Sequence, residues 1–260
     1  MTIAAIIPVR MGSSRFPGKP LAKIRGIHMV EHVYRRVSLA EGLSGVYIAT
    51  CDDEIQQAVE SFGGQVIMTA DTHQRASDRT AEAARGLDVD IVVMVQGDEP
   101  LVYPEMVNIA VEPLVHDPQI LCSNLMSKIR SQQEFQDQNT VKVVLSRDGF
   151  ALYMSREPIP TTQGEKGFFS DVPLFKQVCI IPFRRDFLLT FTDLEPTPLE
   201  VAESIDMLRC LEHGYRVKMV ESEYETHAVD TPEDLRLVEH MMASDTLFEK
   251  YADKSTGAEN

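Results

Sequence analysis

Four short, almost wholly apolar runs recur through the first hundred residues with amphipathic stretches between them, and this alternation constrains the fold more than any other feature. The runs are IAAIIPV (3–9), GVYIAT (45–50), QVIMT (65–69) and DIVVMVQ (90–96). Strands of continuous apolar character are those buried on both faces, as in a parallel sheet covered by helices. Between the runs, Val30, Val33 and Val37 are spaced three and four apart, as are Ile55, Val59 and Phe62, so each set lines one face of a helix. Asp52 stands where it would cap the second of these helices, and Gly63-Gly64 where the chain would leave it. A further helix is expected after Pro104.

The pattern changes from about 120 to 182, where ILCSNLMSKI, TVKVVLS, FALYMS and QVCIIPF read as strands, with a turn at Arg147-Asp148-Gly149. This predicts an antiparallel β-rich insertion. A polar, Gly- and Pro-containing stretch between Pro158 and Pro173 reads as a mobile loop. Thr197 to His213 reads as one helix burying Leu199, Ala202, Ile205, Leu208 and Leu211. Thr231-Pro-Glu-Asp opens the last helix, with a hydroxyl cap, Pro at the first position and acidic residues in the first turn. The expected organisation is a single domain over 1–243, carrying the 120–182 insertion, followed by a polar, frayed tail over 244–260.

Forty acidic against 25 basic residues give a net charge of −15, which argues against a nucleic-acid surface because phosphate backbones demand clustered cations. No stretch approaches the roughly twenty continuous apolar residues that span a membrane, and no leader pattern opens the chain. Cys51, Cys122, Cys179 and Cys210 are widely spread and match no metal-ligand spacing. A reduced, cytoplasmic setting is expected.

Basic residues are nonetheless concentrated at one place. In IIPVRMGSSRFPGKPL (6–21) the first strand closes at Pro8, Gly12 and Gly18 free the backbone to turn, Ser13 and Ser14 offer hydroxyls, and Arg10, Arg15 and Lys19 carry charge. The stretch is close to a phosphate-binding P-loop, but five residues separate the glycines, and Pro20 occupies the position of the metal-binding hydroxyl. Pro17 and Pro20 also resist a helical start. A loop at the carboxyl end of the first parallel strand lies where such sheets bind ligands, and its N–H groups and cations suit a triphosphate.

The strand VVMVQ ends in Gln96, Gly97, Asp98 and Glu99, so Asp98 would point into the same crevice as the loop, where it would either hold a hard divalent cation or cap a helix. In HAVDTPEDL, Thr231 suffices as the cap, which leaves Asp230 available as a second metal ligand. In THQRASDR, His73 reads either as a general base or as a polar residue at a helix start, while Ser77, Asp78 and Arg79 are better placed for nucleotide contacts. Arg156, after Ser155, either grips a substrate carboxylate through its guanidinium fork or is a surface residue. No Ser/His/Asp arrangement suggests a covalent nucleophile.

These motifs, with IATCDDEI, FGG, VKVV, ALYMSREPIP, PLE and VDTPEDL, occur in the order and spacing of the 3-deoxy-manno-octulosonate cytidylyltransferases, which the chain resembles from its start to about residue 243. The resemblance implies an α/β nucleotidyltransferase-A (Rossmann-like) fold, with a mostly parallel central sheet, helices on both faces and the antiparallel insertion. It implies a homodimeric enzyme that couples CTP to a 2-keto sugar acid for a cell-surface polysaccharide such as lipopolysaccharide. It further implies that pyrophosphate is released and that Mg²⁺ serves as cofactor. On this chain the resemblance places Pro8, Arg10, Gly12, Ser13, Arg15, Lys19, Ser77, Arg79 and Gln96 at the nucleotide, with Arg10, Lys19 and Asp98 as the catalytic set. Asp98 and Asp230 would hold the metal, with Asp98 also a candidate to take the hydroxyl proton, and Gln96, Arg156, Gln177, Glu200 and Glu203 would frame an acidic acceptor.

The departures fall on the sugar side. Where the family usually reads HLGIYGY this chain has QVCIIPF, and where it reads LEQLR this chain has IDMLR, so Gln177, Ile181 and Met207 replace a His, a Tyr and a Gln. A pocket that loses hydrogen-bonding partners loses discrimination. A nonulosonate of the sialic-acid type or a modified octulosonate is therefore an alternative acceptor, and a non-catalytic nucleotide-binding relative is an alternative of another class. The retention of Lys19, Asp98 and Asp230 together speaks for an enzyme.

Overall fold

β1 (Ile3–Pro8) is buried almost throughout, as its unbroken apolar sequence requires, because it is flanked on both sides by other strands. The computed structural model describes residues 1–12, 15–161 and 172–252; Ser13, Ser14, residues 162–171 of the expected loop and the last eight residues of the tail lie outside them. The chain falls into two compact units, Met1–Asn108 with Thr226–Asn260, and Ile109–Glu225.

In the first unit, four parallel strands lie in the order β6-β1-β4-β5, with β4 at Gly45–Thr50, β5 at Val66–Met68 and β6 at Ile91–Val95. The connecting helices are α1 (Met29–Val37), α2 (Asp53–Ser61) and α3 (Ala76–Arg85). Val30, Val33 and Val37 of α1 are fully buried, as are Ile55 and Val59 of α2, so the spacings of the sequence become the packed faces. Gly63, with φ +77°, turns the chain out of α2, its N–H and that of Gly64 bonding back to Glu60 and Val59. The chain steps outward from β1 to β4 and β5, then returns through α3 to β6 on the other side of β1. With right-handed crossovers this return puts α3 on the opposite face from α1 and α2. The strand order reverses between β1 and β6, and ligands of open α/β sheets bind at the carboxyl ends of such a pair.

Beyond β1, a two-strand hairpin of β2 (Lys23–Ile24) and β3 (Ile27–His28) turns through Arg25 and Gly26, both at positive φ. α9 (Pro232–Met242) closes this end of the unit, its Val238 and Met242 packing with Ile24, Met29, Leu101 and Val229. The segment expected to fray instead forms α10 (Thr246–Ala252), with Leu247 and Tyr251 buried one turn apart.

α4 (Pro104–His116) leads into the second unit, where Arg184 donates to the carbonyls of Leu114, Asp117 and Ile120 and so closes the C-terminal end of the helix. This unit is the expected β-rich region: β7 (Ser123–Lys128), β8 (Lys142–Leu145), β9 (Ala151–Ser155) and β10 (Phe175–Val178) pair antiparallel, and β12 (Lys218–Glu221) joins β7 in parallel. The short α5 (Gln132–Gln136) and the segment β11 (Ile180–Arg184) to α6 (Arg185–Asp193) complete its first part. The helix read over Thr197–His213 is broken: α7 (Pro198–Glu203) and α8 (Met207–Glu212) meet at Ser204, with φ +54°. Leu199 and Ala202 are exposed, against expectation, whereas Ile205 and Leu208 are buried as expected. The cause is a buried fork in which Arg209 Nε and Nη2 donate to the two oxygens of Glu200 at 2.7 and 2.6 Å. Nine residues of straight helix would set these groups about 13 Å apart along the axis, so the pair forms only across a bend.

Candidate active site

The opening loop is held at three points. Val9 N–H extends the ladder to Ala49 O (2.9 Å), Met11 N–H donates to the Asp52 carboxylate (2.8 Å), and Gly18 N–H, at φ +72°, donates back to Met11 O (3.2 Å). Asp52 therefore anchors the loop, and its side chain makes no cap bond to α2 as the sequence had led us to expect. The loop ends in a single 3₁₀ turn, Lys19–Leu21, with Pro20 inside it.

That turn aims Lys19 at two carboxylates, Asp98 just after β6 and Asp230 just before the cap of α9. Its ammonium lies 2.9 Å from Asp98 Oδ2 and 3.3 Å from Asp230 Oδ1, and Arg15 Nη2 lies 3.0 Å from the same Asp230 oxygen. Asp98 follows β6, and its carbonyl accepts the Val229 N–H at 2.9 Å, which ties the segment carrying Asp230 to the end of that strand. Asp234 shapes the next turn, accepting from the N–H groups of Asp230 (3.1 Å) and Thr231 (2.8 Å). Burial would raise the Asp234 carboxyl, but hydrogen bonds from Thr231, Asp230 and His227 outweigh it and hold the group below the usual carboxylate range.

A cleft of about 330 Å³ opens over this cluster. Its lining includes Pro8, Arg10, Gly12, Arg15, Lys19, Arg79, Gln96, Asp98 and Asp230, so the structure brings these predicted residues together. Ser77 is fully buried and is not among the lining residues. Gly97 and the segment His73 to Ala76 also line the cleft. Residues at the start of α3 were legible as a helix N-terminus, where unsatisfied N–H groups and the helix dipole favour anions. Arg79 is buried; its Nη1 donates to Thr69 Oγ1 and the Ala70 carbonyl, and its Nη2 has no hydrogen-bond partner among the described residues. In a chain of strongly negative charge, the cleft gathers Arg10, Arg15, Lys19, Arg75 and Arg79 around two carboxylates.

Of the residues expected at the acceptor, only Gln96 lines this cleft; the others belong to the second unit. Glu200 is fixed in its buried pair with Arg209. Glu203 accepts from Tyr153 O–H (3.1 Å), Ser155 O–H (2.7 Å) and Arg156 N–H (2.8 Å), and these bonds outweigh its burial and keep it below the usual carboxylate range. The Arg156 guanidinium donates to the carbonyls of Glu203, Gln138 and Ser204, so its described bonds hold the backbone. Gln177 Nε2 donates to Asn124 Oδ1 at 2.6 Å, and Ile181 and Met207 are buried.

A sequence model of the cytidylyltransferase family matches residues 4–223. The 3-deoxy-manno-octulosonate cytidylyltransferase of Geobacter metallireducens is 47% identical over 242 residues, covering 90% of this chain and 95% of the relative. That of Geobacter sulfurreducens is 45% identical over 245 residues, with 92% and 98% covered. Among solved structures, a CMP:2-keto-3-deoxy-manno-octonic acid synthetase complexed with CTP superposes with a TM-score of 0.87 at 37% identity, covering 94% of this chain and 99% of that one. The 4-diphosphocytidyl-2C-methyl-D-erythritol synthase of Anaerococcus prevotii shares the fold at 16% identity, with a TM-score of 0.62 and 93% and 98% covered. On the family match and these identities, the chain belongs to the 3-deoxy-manno-octulosonate cytidylyltransferase family.

Proposed function

We propose that this protein transfers the cytidylyl group of CTP to the anomeric hydroxyl of a KDO-type 2-keto sugar acid. The sugar oxygen forms a bond to the α-phosphorus, the bond to the pyrophosphate oxygen breaks, and the hydroxyl proton is lost. The observation that carries this reading is the convergence of Arg15 and Lys19 on Asp98 and Asp230 at the carboxyl ends of β1 and β6. Arg10, Arg15 and Lys19 hold the triphosphate and align it for in-line displacement, and Arg79 offers its unpartnered donor to the nucleotide.

The two carboxylates fit a hard divalent cation such as Mg²⁺. Their donors are all oxygen, and they already share one cationic group, the Lys19 ammonium. No cluster of three or more His, Cys, Asp or Glu suited to a metal occurs among the described residues, so phosphate oxygens and water would complete the ligand set. Bound there, the cation supplies polarisation of the phosphorus and neutralisation of the departing charge. No described helix is long and apolar enough to cross a membrane, and Cys51, Cys122 and Cys210 are thiols. We place the reaction in a reducing cytoplasm, in a homodimer, making an activated sugar for a cell-surface polysaccharide.

A second acceptor reading, another sugar acid with fewer hydrogen-bonding groups, is favoured by Ile181 and Met207 standing where the family usually has a Tyr and a Gln. Pyrophosphate release from CTP and Mg²⁺ over KDO, a sialic-acid-type nonulosonate and a modified octulosonate decides between them. Asp98→Asn, which keeps size and removes charge, is expected to abolish turnover with unchanged circular dichroism. Full activity in that variant would remove Asp98 from the mechanism, and silence of the native protein with every acid would favour a non-catalytic relative.

A further inference from the structure

Glu82 lies three residues beyond Arg79 on α3, so the two side chains leave neighbouring points of one helix face. They grip the same residue from its two ends. Glu82 Oε2 accepts the Ala70 N–H at 3.0 Å, while Arg79 Nη1 donates to Ala70 O at 3.4 Å and to Thr69 Oγ1 at 2.5 Å. The same Glu82 carboxylate makes a close hydrogen-bonded contact with His73 Nε2. The hydrogen bonds from His73 and Ala70 N–H hold Glu82 below the usual carboxylate range. An ionised carboxylate only accepts, so His73 Nε2 carries the proton it shares. His73 and Arg79 line the cleft; Glu82 does not. A buried donor without a partner is unfavourable, and Arg79 keeps Nη2 in that state while Nη1 is fixed on Thr69 and Ala70.

We propose that Glu82 is a positioning residue for the nucleotide. By fastening Ala70 and His73 to α3, it fixes the segment against which Arg79 braces, and thereby presents His73 and the Arg79 Nη2 donor to bound CTP in one arrangement. This rests on the reading of the cleft as a CTP site. A role confined to folding would lower thermal stability and leave the affinity for CTP unmoved. A positioning role acts on KM for CTP and leaves kcat nearly intact, because Glu82 touches neither the triphosphate clamp nor Asp98.

The test is steady-state pyrophosphate release by the full chain with CTP varied at saturating acceptor. Glu82→Ala is expected to raise KM for CTP about tenfold with kcat within about twofold. Glu82→Gln retains a carbonyl acceptor for the Ala70 and His73 N–H groups and should return KM to within about threefold of the native value. If Glu82 acts through His73, the effects of Glu82→Ala and His73→Ala on KM will not add in the double variant. An unchanged KM in Glu82→Ala, a fall in kcat alone, additive effects, or no rescue by Glu82→Gln overturns the proposal. Should Glu82→Ala fail to fold, His73→Ala carries the test, and an unchanged KM there overturns it equally. A native protein that releases no pyrophosphate from CTP with any sugar acid overturns the underlying reading as well.

Discussion

Gly97 shows how closely two strand ends must approach to build this cleft. A methyl group at residue 97 would sit 2.1 Å from Val9 Cγ1, 3.4 Å from the Pro8 carbonyl and 3.5 Å from Ile7 Cγ2. The next residue is Asp98, so anything that pushes this turn away from β1 also pulls the carboxylate from Lys19. Gly97→Ala is expected to destabilise the protein by about 1–3 kcal/mol, as overpacked sites do, and to raise KM for CTP. Adding Val9→Ala removes the nearest obstructing atoms, so the double variant should regain most of both losses in thermal unfolding and CTP kinetics. A single variant with native melting temperature and KM would count against the close approach. The sequence contains the glycine and both carboxylates in plain view, because each ends a recognisable strand or opens a recognisable helix. It does not reveal that Asp52 bonds Met11 or that Glu82 bonds His73. Those pairs are set by which segments the topology brings side by side, and local pattern, which marks Asp52 as a cap and His73 as a helix-start residue, does not mark the pairing.

At the level of elements, the strands were legible because burial on both faces leaves an uninterrupted apolar run, and α1 and α2 because three-and-four spacing survives in short segments. The α7–α8 break was not, since apolar spacing runs on through Ser204 and the bend is imposed by the distant pairing of Glu200 with Arg209. α10 was missed for a related reason: its polar setting hides two buried residues, of which Tyr251 finds its partners on α1. Tyr251 O–H donates to His32 Nδ1 (2.8 Å), His32 Nε2–H donates to Ile24 O (2.9 Å), and Arg36 Nε donates to the Tyr251 oxygen (3.1 Å). Asp245 pairs with the Arg36 guanidinium. Every proton in this chain has one place, and His32 must be neutral to accept from Tyr251. Burial is the main cause that lowers its pKa from 6.5 to about 4, with Arg36 and Arg35 adding repulsion. As pH falls below 6.5 the unfolded chain therefore takes up a proton that the folded protein refuses until about 4, so stability is lost across that window. The full effect is about 3 kcal/mol at 1.36 kcal/mol per unit. Urea unfolding at several pH values between 7.5 and 4.5 should show this loss in the native protein. His32→Asn should be less stable at neutral pH but should lack this part of the slope. Parallel pH dependence in the two proteins would place the acid sensitivity elsewhere.

For the molecule as a whole, the net charge of −15 opposes the approach of a polyanionic nucleotide, so the clamp must supply attraction locally. Yet two of its cations are already engaged by carboxylates, Lys19 with both Asp98 and Asp230 and Arg15 with Asp230. Triphosphate arriving alone must loosen these pairs and would leave two carboxylates facing its own oxygens. A divalent cation arriving alone must displace the ammonium and guanidinium from their partners. If the carboxylates hold the metal as proposed, the two ligands arriving together would exchange partners: the cations would turn to the phosphates and the carboxylates to the metal. The two ligands should therefore bind with positive coupling, each strengthening the other by the same factor. Partly exposed ion pairs contribute up to about 1 kcal/mol each, so the coupling should amount to tenfold or somewhat more. Isothermal titration of CTP with Mg²⁺ and with a chelator measures it directly. Asp230→Asn gives the sharper outcome: with that charge removed, the pairs Asp230 makes with Arg15 and Lys19 weaken while Lys19 keeps Asp98, so CTP in chelator should bind about three- to tenfold more tightly than to the native protein, while the gain on adding Mg²⁺ shrinks. A variant that binds metal-free CTP no better than the native chain would mean that these ion pairs do not restrain the clamp.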